Sequence, residues 1–424
     1  MAHQGHVLGI DFGTSNSAAG YLLDGTPHLI EMDAGQNTLP TTFFFDFETR
    51  ETLIGEPANQ ALLDGSDGRF MRALKRVLGT SLMHEKRQIL NERVTFVDII
   101  GRFLRKIKTR AEAASGRRFD HALSGRPVFF HGANDPREAQ AISDLRACYL
   151  AAGFEDVAFL VEPEAAAIAN GALDHPGAVG LIVDIGGGTS DFSVFRSGHA
   201  GVEILASHGI RIGGTDFDRA ISIDRVMPLL GRGSLLGKAI GPGTLIAPNA
   251  IFNDLATWEK IPFLYTAQTR RMVDEMVHVA VERDKLKRLA EVLRNELGHD
   301  LAFAVERGKI EANSGGNCAR IKLDTIEHGL HAHLPVEALT DVLDPYGTQL
   351  QEGASETLTQ AGLSPDRITQ VVYVGGSSLM GMVSSHIRQV FPKAEHSFAS
   401  VFTAVADGLA IAAAQDKALS ARFA

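Results

Sequence analysis

Two stretches of the sequence place a carboxylate directly before a glycine-containing turn. Asp184 ends the apolar run of "GLIVDIGGGTSDFSVF", and Asp11 ends the apolar run of "VLGIDFGTSNSAAGYLL". Small hydroxyl residues follow the glycines in both stretches, and small or apolar residues then resume. Glycine-rich turns that follow strands commonly bind phosphate, because their backbone N–H groups can approach the anion closely. A carboxylate at the same place would repel a phosphate, so the combination needs an explanation.

A complex of a metal ion with a nucleotide would reconcile the acids with the phosphates. Mg²⁺ keeps several of its waters and is held by one or two carboxylates together with substrate phosphates. Asp11 and Asp184 would then face the hydrated cation, or the attacking water, rather than the phosphates. The alternative interpretation, two ordinary turn acids, explains one hairpin well and the pair poorly.

A third element, "QVVYVGGSSLMGMVSSHIRQVF", has a buried strand at residues 371–374 that meets Gly375 and Gly376. Ser377 and Ser378 are predicted to open the following helix, where free N–H groups suit an anion or a ribose. The two Asp-containing hairpins begin roughly 170 residues apart, which suits one copy in each lobe of a duplicated α/β architecture.

Composition narrows the possible partners. The chain has 424 residues and a net charge of −10, which disfavours extended binding to nucleic acid or to an anionic membrane. The stretch "GRFLRKIKTR" is a local basic exception and is predicted to be a helix with a solvated basic face.

The two cysteines, Cys148 and Cys318, form no CxxC pair. Without a signal-peptide core or a long apolar run, a cytoplasmic location is expected.

Six segments together resemble the nucleotide-binding domain of DnaK-type heat-shock chaperones, within the actin-like ATPase superfamily. "GIDFGTSNS" and "DIGGGTSDFS" are similar to that family's two phosphate loops. The others are "LVEPEAAAIANG", "IGGTDFDRAI", "VERGKIEAN" and the adenosine loop "YVGGSS". They occur in the family's order between about residues 7 and 410. The longer, more helical region at 224–300 resembles the YegD-like branch of the family.

The resemblance implies an α/β actin-like ATPase fold, with two duplicated ribonuclease-H-like lobes and inserted subdomains around a nucleotide cleft. Lobe I would span residues 1–175 with a cap at about 40–120, and lobe II residues 176–399 with a cap at about 223–319. Residues 400–424 would form a final helix that packs back on lobe I.

The resemblance also implies an ATP/ADP site with Mg²⁺. Lys75 and Glu162 would be catalytic, Asp11 and Asp184 would hold the cation through water, and Asp191 would position the attacking water. Lys75 could instead be a solvent-facing helix lysine, and Glu162 only a helix-cap partner. The remaining binding residues are Gly13, Thr14, Ser15, Asn16, Gly186, Gly187, Gly188 and Thr189 for phosphate, and Gly213, Gly214, Glu306, Lys309, Asn313, Gly375, Gly376 and Ser377 for the nucleoside side. For the three residues at 306, 309 and 313, an ordinary salt-bridged surface helix is an open alternative.

Several positions depart from the family pattern. Phe130 or His131 stands where the family has a proline that couples nucleotide state to its linker, and Thr215 replaces an acid. Ile310 and Leu379 occupy the positions of two arginines that sandwich adenine. The sequence ends at "AAAQDKALSARFA", so we expect no linker, peptide-binding sandwich or helical lid in this chain.

The leading functional hypothesis is a slow Mg²⁺-dependent ATPase that acts as a conformational switch in chaperone-related work, with an unidentified protein partner or client. Three alternatives stay open: a sugar- or acetate-kinase-like phosphotransferase, an actin-like filament protein, and a module that binds ATP without turnover.

Overall fold

The computed structural model describes residues 6–33, 35–132, 134–198, 201–238, 241–315, 319–398 and 401–415. Within them the chain forms two compact units. Unit one takes its described residues from Met1–Ile210, Gly353–Leu379 and Arg388–Ala424, and unit two from Arg211–Glu352 and Met380–Ile387. The predicted lobe boundaries at 175 and 399 are not tested by this division and stay predictions.

The regular elements are numbered along the described residues. The strands are β1 His6–Asp11, β2 Asn16–Leu23, β3 Thr26–Leu29, β4 Thr38–Pro40, β5 Thr42–Asp46, β6 Thr52–Ile54, β7 Gly68–Arg72, β8 Arg87–Ile89, β9 Glu92–Val94, β10 Phe119–Arg126, β11 Asp156–Val161, β12 Val179–Ile185, β13 Ser190–Ser197, β14 Val202–Ile210, β15 Leu235–Gly237, β16 Thr244–Ile246, β17 Arg320–Lys322, β18 His331–His333, β19 Gln370–Val374 and β20 Glu395–Ser397. The α-helices are α1 Glu56–Leu63, α2 Phe96–Ser115, α3 Arg137–Ala152, α4 Glu162–Ala169, α5 Gly214–Ile221, α6 Asn249–Leu255, α7 Ala267–Val279, α8 Arg283–Arg294, α9 Gly298–Asn313, α10 Val336–Ala361, α11 Gly381–Val390 and α12 Ala404–Gln415.

Unit one contains two mixed sheets with the same topology. The first has the order β11-β10-β1-β2-β3, with β4 also paired to β2, and the second has the order β14-β13-β12-β19-β20. In each sheet a hairpin strand pair is extended by a third antiparallel strand on one side and by two parallel strands on the other. The α/β prediction is therefore confirmed, and each predicted hairpin occupies the equivalent central place in its own sheet.

Apolar runs in the sequence become the central strands because both of their faces are covered. In β12, six of the seven residues are buried, Asp184 being the half-buried exception. A continuous apolar run of this kind suits a strand that is covered by helices on both sides. The carboxylate therefore lies at the end of a rigid strand rather than in a free loop.

Helices α4 and α12 pack closely on these strands. α12 contacts β1, β2, β3, β10 and α4. Glycine allows the close approach, because a Cβ on Gly408 would lie 1.8 Å from the Ala165 carbonyl oxygen, and one on Gly9 would lie 2.8 Å from the Ala410 nitrogen. Any larger residue at either position would push the final helix away from its neighbours.

An inserted segment of unit one holds the three-stranded sheet β6-β5-β7, the hairpin β8-β9 and α2. Thr95 begins α2 with a capping box that uses Asp98, and Gly116 ends it in a left-handed conformation (φ 66°). The predicted basic helix over 101–110 is thus confirmed as part of α2.

Unit two is mainly helical, with α5 to α9 and the small hairpins β15-β16 and β17-β18. Its core is formed by the apolar faces of short helices, as in α8, where Leu286, Leu289 and Leu293 are buried. None of the helices in the described part of the chain is both long and apolar enough to cross a membrane.

Candidate functional site

The first glycine turn joins β1 to β2 and is sterically restricted. Asp11, the last residue of β1, pairs with Ala18 across the hairpin. A Cβ on Gly13 would lie 2.0 Å from the Asn16 carbonyl oxygen, so only glycine fits in this turn. Residues 13–15 are half-buried and Asn16 is exposed, so the turn retains contact with solvent.

The second turn joins β12 to β13 and lies against the first. Asp184 and Asp191 face each other across this hairpin, and the Gly186 N–H donates to the Thr189 carbonyl at 2.9 Å. A Cβ on Gly187 would lie only 2.9 Å from the Ser15 hydroxyl oxygen. The two phosphate-loop candidates therefore meet within unit one, although they are far apart in the sequence.

The third element adds Gly375 to this junction, because β19 runs parallel to β12. Gly375 has a φ of 78°, and a Cβ there would lie 2.9 Å from an Asp184 carboxylate oxygen. Gly376, Ser377 and Ser378 form a short 3-10 helix with Leu379, and α11 begins only at Gly381. The prediction that Ser377 and Ser378 open the α-helix was wrong: Ser378 donates its hydroxyl to the Gly375 carbonyl at 2.7 Å, which tightens the turn instead.

Lys75 and Glu162 form a buried ion pair next to the two turns. Their side chains, 10% and 16% exposed, meet with an Nζ–Oε1 distance of 2.6 Å. Lys75 lies in a 3-10 helix, Leu74–Val77, that follows Ala73 in a left-handed conformation (φ 58°). Glu162 is the first residue of α4, where Pro163 has the favourable first-turn position. The left-handed conformation of Ala73 is strained because Ala73 is not a glycine, and such strain is typical of functional sites.

Three aspartates around Lys75, namely Asp11, Asp184 and Asp191, are destabilised in their charged form. Burial, followed by repulsion from Glu162, raises the pKa of Asp11 to about 7, although Lys75 opposes the shift. Burial is also the main reason that the pKa of Asp191 rises to about 6. The pKa of Asp184 is raised well above its usual value by burial and then by repulsion from Asp191, Glu162 and Asp11. Four carboxylates thus share the neighbourhood of one ammonium.

The same arrangement stabilises the charged form of Lys75. Burial alone would lower its pKa, but the attraction of Glu162, Asp11 and Asp184 outweighs burial, so the pKa of Lys75 is raised. Lys75 therefore stays an ammonium at neutral pH and can act as a fixed positive charge.

A small cavity of about 30 Å³ lies between Glu162, Asp184 and Asp191, with Val128 and Ser193 also in its wall. Its volume is that of roughly one water molecule. Two polar partners for a water, a carboxylate on each side, are available there. This geometry suits an ordered water beside Asp191.

The acids fit a hydrated cation better than a directly bound one. Among the described residues, no group of three or more His, Cys, Asp or Glu side chains is arranged to bind a metal ion directly. Excess carboxylate around a single ammonium nevertheless leaves negative charge to be neutralised. Mg²⁺ that keeps its waters needs only one or two carboxylates, and Asp11 and Asp184 can supply them.

Candidate residues of unit two lie on α5 and α9. Gly213 precedes α5, and its N–H donates to the Asp216 carboxylate at 2.9 Å, while Gly214 is buried in the first turn. On α9, Glu306 is exposed, whereas Lys309 is buried and forms a 2.8 Å ion pair with Asp218.

The last residue of α9, Asn313, accepts a 2.8 Å hydrogen bond from the Gly381 N–H through its side-chain oxygen. Both contacts of α9 are internal to unit two, so the roles of its residues toward a nucleoside stay predictions.

Arg76 was missed at the sequence level as a neighbour of the phosphate turn. A Cβ on Gly188 would lie 2.2 Å from one of its guanidinium nitrogens. Arg76 directly follows Lys75 in the sequence, which could have indicated that it also lies near the site. In a regular α-helix, however, the two side chains would point in different directions. The 3-10 turn instead brings both cations toward the glycine loops.

One known protein family matches most of the chain. A sequence model of the family described as "Hsp70 protein" matches residues 7–224 and 274–420. The match leaves out residues 225–273, which lie within the region that the sequence indicated to be unusually long.

Three curated proteins that are similar to this chain are each described as "Chaperone protein DnaK". Those of Thermosipho melanesiensis and Thermosipho africanus are 27% and 28% identical over 427 residues, and that of Thermotoga petrophila is 28% identical over 416 residues. Each alignment covers 96% of this chain and 59% of the relative. The chain thus spans well under two thirds of the length of these relatives.

Proposed function

This chain belongs to the Hsp70 protein family, whose nucleotide-binding part has the actin-like ATPase fold, and we propose that it binds ATP and ADP with Mg²⁺ and hydrolyses ATP slowly. The observation that carries the proposal is the Lys75–Glu162 ion pair, 2.6 Å long, beside three aspartates, of which Asp11 and Asp184 are half-buried, and two touching glycine turns. A site with excess negative charge and two phosphate-binding backbones suits a metal–nucleotide complex.

The two turns would bind the phosphates through backbone N–H groups, with Thr14, Ser15 and Thr189 as hydroxyl donors. Asp11 and Asp184 would hold the cation's waters, and the bound Mg²⁺ would offset charge on the phosphates. Lys75 would stabilise the charge that develops at the γ-phosphate as it departs.

Asp191 is the proposed acceptor for the attacking water. It borders the small cavity of about 30 Å³, and its pKa is raised to about 6 by burial and by Glu162. At pH 7 it would still be mostly ionised, and a base with a pKa near the working pH is well suited to accept a proton. Deprotonated Asp191 would orient the water for attack on the γ-phosphate.

We further propose that the nucleotide state switches this chain in chaperone-related work, because similar proteins are described as chaperones. The described residues do not identify the protein partner or client. The proposed switch is therefore separable by experiment from the proposed hydrolysis.

Calorimetry with ATP, ADP and GTP, with and without Mg²⁺, tests the binding part. We expect Mg²⁺-dependent adenine nucleotide binding that is weaker than nanomolar, because Ile310 and Leu379 carry no guanidinium for cation–π stacking, a contact worth about 0.5–2 kcal/mol each. Lack of binding would refute the proposal, and nanomolar affinity would refute the reasoning about these two residues.

Single-turnover assays with ATP·Mg²⁺ test the hydrolysis. Phosphate release should proceed without any added sugar or carboxylic acid. A rate that requires such an acceptor would instead support the phosphotransferase, and nucleotide-dependent sedimentation would support the filament.

A further inference from the structure

A second cavity lies in unit one beneath the basic face of α2. It is open to solvent, has a volume of about 550 Å³, and is lined by residues of α2 on one side and by Met32, Asp33 and Leu39 on the other. Pockets that bind small organic molecules commonly measure about 300–1,000 Å³. The cavity shares no lining residue with the site at the two glycine turns.

Four cations of α2 line this cavity: Arg102, Arg105, Lys106 and Arg110. Their spacing of three, four and eight residues places them on one face of the helix, while the opposite face, with Phe103 and Ile107 fully buried, packs into the core. Arg105 and Arg110 are exposed, in agreement with the solvated basic face that the sequence predicted, and this face also forms one wall of the cavity.

Within the described residues, only one of the four cations has a carboxylate partner within ion-pair distance, Arg102 with Glu92 at 2.6 Å. Lys106 donates to the Ile54 carbonyl at 2.8 Å, and Arg110 to the Glu31 carbonyl at 3.0 Å. Arg105 donates to the carbonyls of Ala151 and Ala152. Backbone carbonyls orient the side chains of Arg105, Lys106 and Arg110, and in the described part of the chain none of these three forms an ion pair with a carboxylate.

The other wall combines apolar surface with one carboxylate. Met32 and Leu39 are 4% and 1% exposed. The Oδ2 atom of Asp33 is buried and, in the part of the chain that the structure describes, has no hydrogen-bond partner. A buried carboxylate oxygen without a donor is costly, so a donor supplied by a ligand would stabilise it.

Burial also affects the charge of Lys106. Burial lowers the pKa of Lys106, Asp33 opposes the shift, and the nearby Arg110 adds to it. The charged form of Lys106 is thus disfavoured mainly by burial, and a bound anion would favour it.

We propose that this cavity binds a small organic phosphate that carries an apolar group and a hydroxyl. Lys106, Arg105 and Arg110 would bind the phosphate, since guanidinium groups match its oxygens bidentately. The exposed Ala113 of α2 and the accessible edge of Met32 would contact the apolar group, and Asp33 would accept a hydrogen bond from the hydroxyl. The class includes soluble phosphate esters and detached lipid headgroups with a short chain.

Calorimetry with four probes tests the ligand class, with ADP and Mg²⁺ present to occupy the glycine-turn site. The probes are hexyl phosphate, 2-hydroxyhexyl phosphate, 1-hexanol and inorganic phosphate. We expect one-to-one binding of both esters, tightest for the hydroxylated one, and at least about tenfold weaker binding of hexanol and of inorganic phosphate. Absence of saturable binding by either ester would overturn the proposal, as would equal binding of inorganic phosphate.

Variants then assign the binding to this cavity. Lys106→Gln and Arg110→Gln should each weaken both esters by about tenfold or more, and Lys106→Arg should retain most of the affinity. The exposed Arg93, which does not line the cavity, provides a charge-matched control in Arg93→Gln. Thermal unfolding verifies that each variant is folded. If both cavity variants bind like Arg93→Gln, the esters bind elsewhere and the proposal fails.

Asp33→Ala tests the hydroxyl contact separately. Removing the carboxylate also removes its repulsion of the phosphate, so hexyl phosphate should bind as tightly as to the wild type or tighter. The preference for the hydroxylated ester should disappear. Retention of that preference in Asp33→Ala would refute the role of Asp33.

Discussion

Replacing Lys75 by alanine removes the ammonium from a group of four carboxylates, three of which belong to half-buried residues. Lys75 contacts Glu162 at 2.6 Å with only 10% of its side chain exposed, so solvent can replace little of the lost interaction. Lys75 also lowers the pKa values of Asp11, Asp184 and Asp191. All four carboxylates are therefore affected by the one substitution.

The expected loss of stability depends on pH. Breaking a buried ion pair by removing one partner costs about 3–5 kcal/mol. Without Lys75 the pKa values of the aspartates rise further above their values in the unfolded chain. A carboxylate with a raised pKa in the folded state stabilises that state at low pH and loses this contribution as pH rises. We therefore expect Lys75→Ala to cost about 3 kcal/mol at pH 8.5, and clearly less at pH 6, where protonation of Asp11 and Asp191 replaces the missing cation.

The expected effect on chemistry is separate. If the backbone N–H groups of the two turns supply most of the nucleotide binding, as proposed, ATP·Mg²⁺ should bind within a few-fold of the wild type. Loss of one preorganised electrostatic donor typically costs about 3–4 kcal/mol in the transition state. Hydrolysis in single-turnover assays should consequently slow at least about a hundredfold.

Urea unfolding of the nucleotide-free protein at pH 6 and 8.5, together with single-turnover phosphate release, measures both effects. Lys86→Ala is the matched control, because Lys86 is exposed and outside the site. The Lys75→Ala, Glu162→Gln double variant should recover part of the lost stability but none of the rate. Wild-type turnover in Lys75→Ala, or a stability loss that is the same at both pH values, would refute the reasoning.

Three further predictions concern the two hairpins. Asp11→Asn should raise the thermal unfolding midpoint of the nucleotide-free protein at pH 8 by removing a carboxylate whose pKa is raised to about 7. The gain should vanish near pH 4, and a gain that is independent of pH would contradict the assignment. Gly13→Ala should unfold more easily, because its Cβ would lie 2.0 Å from the Asn16 carbonyl, whereas the nearest atom to a Cβ in Gly186→Ala is at 3.5 Å, so that control should unfold like the wild type. The gain in ADP affinity on adding Mg²⁺ should increase between pH 6 and pH 8, as measured by calorimetry, since protons compete with the cation for the raised-pKa aspartates.

Local sequence was sufficient to predict the two hairpins and to place one in each of two similar sheets. Each consists of an apolar run, an acid, a glycine turn and a second apolar strand, and these features depend on neighbours along the chain. The requirement for glycine at Gly13 is local as well, since the clashing atom belongs to Asn16, three residues away. Duplication of such a unit predicts two similar sheets, which the structure contains.

The positions of Lys75 and Arg76 were decided only by tertiary structure. Lys75 and Glu162 are 87 residues apart in the sequence, and whether they meet depends on how the inserted segment packs against α4. Short 3-10 turns leave no periodicity by which to predict a side-chain direction. Local sequence alone favoured a solvent-facing helix lysine at Lys75, and the family resemblance supplied the other interpretation.

The basic stretch of α2 shows the same division between local and distant information. Its apolar and basic residues at helical spacing predicted a helix with one basic face. Sequence could not show that Met32, Asp33 and Leu39 would form the opposite wall of an open cavity of about 550 Å³. These three residues lie more than sixty residues earlier in the chain than Lys106 and its neighbours. Helical periodicity arises from bonds between residues four apart, whereas the opposite wall comes from a distant segment whose position depends on packing of the whole core.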